Sequence, residues 1–224
     1  GDKKIYKSVT NLKECSLQTK IEKSNEFFKQ LLQESIITQK EFGYFYYKSV
    51  NSVSLGKMYL LPKIHKGLES VPGRPVISNC GSPTEKVSEF LDHHLQPLMK
   101  SGKSFLKDTN HFLQKLAKLG VLPRDAILVT ADVVGLYPNI LHDIGLKYLM
   151  ERFNERQNKR IPTNILVEMA HFVLNNNYFE FNNEIYHQIS GTAIGTKFAP
   201  PYACIFMDRV ENDFLETDKF KPYI

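Results

Sequence analysis

One carboxylate stands out for the chemistry it could do. Asp132 closes an apolar, β-branched run, Ile127, Leu128, Val129 and Thr130, and is followed by Gly135, Leu136, Tyr137 and Pro138. A strand that delivers an Asp to its tip holds an oxygen ligand rigidly for a divalent cation, and the loop beyond leaves room for substrate. The same Asp could instead form a turn or cap a helix. A second group, Lys63, Lys66 and Arg74, lies on the Gly- and Pro-bounded stretch KIHKGLESVPGRPVI. Arg offers a planar fork and Lys a point charge, which together suit a triphosphate; a solvated turn is the alternative. A third stretch, Gly191-Thr192-Ala193-Ile194-Gly195-Thr196, is built of small residues that admit backbone or a ligand ring at close range. Its alternative is a tight strand-to-helix joint. It is not a P-loop, because Thr196-Lys197-Phe198 inverts the required Lys-Ser/Thr order.

Composition narrows the setting. The 224 residues are 42% apolar, enough for a sizeable core, and carry a net charge of +5. The charge is unevenly placed: residues 1–56 are net +3, residues 57–124 net +6 and residues 125–224 net −4. A basic middle before an acidic final third suits a polyanion gripped by one part and cations held by another; ordinary solvated faces are the alternative. No apolar run approaches the ~18 residues of a membrane span. GDKKIYKSVT carries no apolar signal core. Cys15, Cys80 and Cys204 are widely separated and in no metal spacing, so free thiols in a reducing, intracellular compartment are expected.

The elements that must position these groups follow from periodicity. Ile21, Phe27, Phe28, Leu31, Leu32 and Ile36 give an amphipathic helix over 18–36. Ser82, Pro83 and Glu85 suggest an N-cap, N1 and capping-box partner for a helix faced by Val87, Phe90, Leu91, His94, Leu95 and Leu98. His94 in that stripe reads as a packed histidine. Asp108 can cap a helix over 109–119 with Phe112, Leu113, Leu116 and Leu119 inward and Gly120 as its stop. Ile127–Thr130 reads as a buried strand. Helices are expected over 142–157, from Pro162 to about 174, and over 201–216. YFEFNNEIYH at 178–187 reads as a hairpin turning at Asn182-Asn183.

Taken in order, five segments resemble a reverse transcriptase of the Penelope-like retroelement type. They are LPKIHK at 61–66, GRPVIS at 73–78, SFLKDTNHFL at 104–113, TADVVGLYPNI at 130–140 and GTAIGTKFAPPYACIFMDRVE at 191–211. The resemblance spans about residues 59–215 and is specific in combination. It implies an α+β fold, a right-hand polymerase fingers/palm fragment with helices packed on a small antiparallel palm sheet. Residues 1–56 would be an N-terminal helical extension, 57–125 the fingers, and 126–224 a partial palm.

By the same resemblance Asp132 is the catalytic carboxylate that binds Mg²⁺ or Mn²⁺, and Val133 offers its backbone carbonyl. Tyr137 is the steric gate beneath the sugar. Lys63 or Lys66, with Arg74, holds the incoming dNTP, and Gly195 turns against the templating pair. The partners implied are an RNA template, a DNA primer and a dNTP, without a membrane, in a parent protein expected in the nucleus. The intact enzyme would run two-metal phosphoryl transfer from a primer 3′-OH. Two departures stand out. Ile194-Gly195 replaces the Gln-Gly common at this turn, with Gln188 nearby in a different position. No Asp-Asp pair occurs, so the expected chain is a truncated portion that does not extend a primer alone. The rival reading is a non-catalytic RNA-binding module on a polymerase-like scaffold.

Overall fold

Two stacked phenylalanines join the first helices. Ser16 accepts a hydrogen bond from the Thr19 backbone and opens α1 (Leu17–Gln33). Thr38 and Glu41 form a reciprocal capping box for α2 (Gln39–Phe45). Phe28 of α1 then stacks on Phe45 of α2 with ring centroids 4.0 Å apart. The computed structural model describes residues 5–216 apart from 12, 14, 65–70 and 128.

Six further helices are described: α3 (Glu85–Lys100), α4 (Thr109–Lys118), α5 (Leu136–Asn139), α6 (His142–Asn154), α7 (Thr163–Asn175) and α8 (Ala199–Leu215). The apolar faces of α1, α2, α3, α6, α7 and α8 share one core. Phe28, Phe45, Leu91, Leu95, Leu149, Phe153, Leu166, Met169 and Tyr202 are all buried in it, so residues from 28 to 205 contribute to a continuous interior. No helix among the described residues is long and apolar enough to cross a membrane.

Five strands are described: β1 (Tyr6–Ser8), β2 (Gly56–Pro62), β3 (Gly73–Ser78), β4 (Tyr178–Phe181) and β5 (Glu184–Gln188). They form one sheet in the order β1-β5-β4-β2-β3. The fold is α+β, but the sheet is mixed rather than antiparallel, because β2 and β4 pair in parallel at Gly56–Phe179 and Lys57–Glu180. Parallel pairing needs a long crossover, and α3 to α7 supply it. The β4–β5 hairpin turns at Asn182-Asn183, with φ of 51° and 62°.

Three local expectations are corrected. Ile127 and Val129 do not lie in a buried strand: they are 85% and 72% exposed. A strand needs a neighbour to complete its ladder, and among the described residues no strand pairs with this run. The third helix starts at Glu85 rather than behind a Ser82 cap. Its Glu85 carboxylate reaches back to accept from the Gly81 backbone N–H at 2.8 Å. Helix α4 is capped by Asp108 as expected, but it buries none of its residues, and Leu113 is exposed.

Candidate functional site

The β2–β3 hairpin sets the basic groups. Arg74 lies opposite Leu61, and the Lys63 N–H donates to the Pro72 carbonyl at 2.9 Å. Alternation along paired strands therefore puts Lys63, Arg74 and Val76 on one face of the hairpin. Lys66 lies outside the described residues.

The small-residue stretch packs against β3. The Ile77 N–H donates to the Ile194 carbonyl at 2.7 Å. Gly195 has φ of +123°, and a Cβ there would stand 2.4 Å from the Ile77 carbonyl oxygen and 3.3 Å from the Val76 side chain. Only glycine admits that approach without displacing backbone. Gly195 thus lies along the free edge of β3, against Val76 and Ile77.

The other end of the stretch is bonded to the Tyr137 turn. Thr192 N–H donates to the Tyr137 carbonyl at 2.9 Å, and Ser190 Oγ to the Pro138 carbonyl at 3.3 Å. His142 Nε2 donates to the Gly191 carbonyl at 2.8 Å, which sets the tautomer of that ring. Gly135, with φ of +65°, lets the chain enter the short helix α5 that carries Tyr137. Burial raises the Tyr137 phenol above its ordinary value and Cys204 adds to this, while Arg74 acts in the opposite direction. Arg74 is therefore within electrostatic reach of Tyr137.

Beneath this assembly runs a chain of amides. Asn79 Nδ2 donates to Asn177 Oδ1 at 3.3 Å, Asn177 Nδ2 to Gln188 Oε1 at 2.9 Å, and Gln188 Nε2 to the Ser190 carbonyl at 2.9 Å. All three amide residues are buried. Asn79 follows β3, Asn177 precedes β4 and Gln188 ends β5, so the chain ties three strands to the loop that grips the Tyr137 turn. Asn79, Asn177, Ser190 and His142 were not anticipated from residue type. The only signal was the proximity of Gln188 to the small-residue stretch.

Residues 191–196 thus link Gly195 and the Tyr137 turn to β3, the strand that carries Arg74, while Lys63 stands at the turn end of the hairpin, level with Pro72. Asp132 and Val133 lie on the irregular segment before α5, both exposed. Among the described residues no three His, Cys, Asp or Glu side chains gather where they could hold a metal ion. Two-metal chemistry needs several oxygen ligands around two cations, and Asp132 alone does not fit that requirement. No protein-family model matches the chain, and no curated protein matches it.

Proposed function

We propose that this chain forms the nucleotide-facing fingers and partial palm of an RNA-directed DNA polymerase of a retroelement, with an RNA template, a DNA primer and a dNTP as its partners. The observation that carries the reading is the double attachment of residues 191–196. That stretch bonds to β3 on one side and to the Tyr137 turn on the other, so it joins the strand that carries Arg74 to the turn that carries Tyr137. In this reading Lys63 and Arg74 take the triphosphate by charge and fork geometry. Tyr137 underlies the sugar, and Gly195 turns the chain against the templating pair. Mg²⁺ or Mn²⁺ would find one carboxylate, Asp132, so the proposed role of these residues is to position a nucleotide rather than to complete the transfer.

A primer-extension assay tests this with Mg²⁺ or Mn²⁺, run beside dNTP crosslinking. The expected outcome is crosslinking that Arg74→Ala weakens, without extension by the chain alone. Extension abolished by Asp132→Asn would overturn the account of the missing ligands.

The solitary Asp132 favours a second reading, a non-catalytic RNA-binding module. It would grip single strands by basic and aromatic surface. Salt-sensitive RNA binding indifferent to dNTP would select it.

A further inference from the structure

We infer that the cleft between α1 and α7 is a separate nucleotide-binding site, taking phosphate on Lys20 and Lys23 and a base against Phe27 and Phe172. The cleft has a volume of about 490 Å³, within the roughly 300–1,000 Å³ typical of small-ligand sites. Its residues are not those of the Tyr137 assembly, and the inference does not rest on the polymerase reading.

Helix geometry builds the cleft. Ser16, Lys20, Lys23, Ser24 and Phe27 recur at three- and four-residue spacings, so one face of α1 presents cations near its start and an aromatic ring further along. Phe172 of α7 lines the same space. Lys13, Lys20 and Lys23 stand against one carboxylate, that of Glu168, and none of the three lysines forms an ion pair among the described residues. Lys20 is fixed rather than free: its Nζ donates to Asn176 Oδ1 at 3.1 Å and lies 3.8 Å from the centre of the Tyr178 ring. Burial lowers Lys20 to about 8, with Cys15 opposing and Lys23 adding. An anion beside it would restore the missing stabilisation of its charge. At the floor, Ser24 is buried and its hydroxyl has no hydrogen-bond partner. Such a group is costly unless something engages it, and a ligand oxygen would. Cations at one end, partly buried rings at the other and an unpaired hydroxyl between them match a ring-bearing phosphate, which is a nucleotide unit.

The test uses the full chain, with AMP and a hexanucleotide as probes in calorimetric titrations and the ring proton signals of Phe27 and Phe172 as the location readout. Lys20→Met with Lys23→Met should weaken binding tenfold or more, and Lys20→Arg should keep it. Ser24→Ala should weaken it severalfold at undiminished thermal stability. Saturation by AMP identifies a free nucleotide and binding confined to the hexanucleotide identifies a strand; either outcome upholds the site. Wild-type affinity in the double methionine variant, inorganic phosphate competing as well as AMP, or ring signals that do not move would overturn it.

Discussion

The backbone of Gly191 lies against that of Tyr137 so closely that a Cβ on Gly191 would stand 2.2 Å from the Tyr137 carbonyl oxygen. The same Cβ would meet Pro138 Cα at 2.4 Å, and the φ of Gly191 is +68°. Neither neighbour is a flexible side-chain end. Gly191→Ala should therefore destabilise the chain by about 2–4 kcal/mol, by strain and by displacing the turn. A urea titration checks this. A midpoint within error of wild type would mean that the turn moves freely.

Gln188 should matter more than its distance from Tyr137 suggests. Gln188→Leu removes the middle of the buried amide chain and leaves Asn177 Nδ2 without its acceptor. The cost should be about 1–3 kcal/mol. A double-mutant cycle with Asn79→Ala should show coupling, because both belong to one network. Strict additivity would show that the amides act separately.

How much of this was legible beforehand depends on the range of the forces involved. The Asn182-Asn183 turn and the Asp108 cap follow from local chemistry, and both are found. The close backbone contact at Gly195 is what a stretch of small residues permits, but its residue types alone left a ligand ring equally open. Helix α3 begins later than its Ser-Pro-Thr-Glu signature suggests: the Ser82 hydroxyl pairs with that of Thr84, and the Glu85 carboxylate with the Gly81 backbone N–H. Residues 127–130 have the composition of a strand, but composition does not supply a neighbour. The amide chain joins residues as far apart as Asn79 and Asn177, and no periodicity encodes such a contact.

Arg74 and Tyr137 should have separable effects on nucleotide use in a catalytically complete polymerase carrying these residues. Arg74→Ala should raise the dNTP concentration needed for half-maximal incorporation. Tyr137→Ala should admit ribonucleotides more readily while the dNTP requirement changes less. Steady-state incorporation with paired dNTP and rNTP substrates checks both, and unaltered sugar preference in Tyr137→Ala would remove the gate role.

His94 should impose an acid limit on stability. Burial between α3 and its neighbours lowers it from 6.5 to about 4; His93, Arg156 and Arg160 push the same way, and Glu41 opposes them. The unfolded chain takes up this proton as pH falls through 6.5, whereas the folded chain resists until about 4. Stability is thus fully present above the unfolded value and declines between the two. His94→Gln should flatten the acid limb of a plot of urea midpoint against pH over that window. An unchanged slope would assign the limb to other groups.

The exposed segment before α5 should be dispensable for folding although it is apolar. Ile127, Val129 and Val134 are 85%, 72% and 91% exposed, so shortening them removes almost no buried area. Ile127→Ser with Val129→Ser should shift stability by no more than about 0.5 kcal/mol, as surface changes usually do. Leu149→Ala, at a fully buried position of α6, should cost about 2–5 kcal/mol. The serine pair should also lower binding of a hydrophobic dye, since contiguous exposed apolar surface is what such dyes report. If the serine pair instead unfolded the chain as severely as Leu149→Ala, residues 127–130 would be buried in solution, and Asp132 would be held by a strand after all.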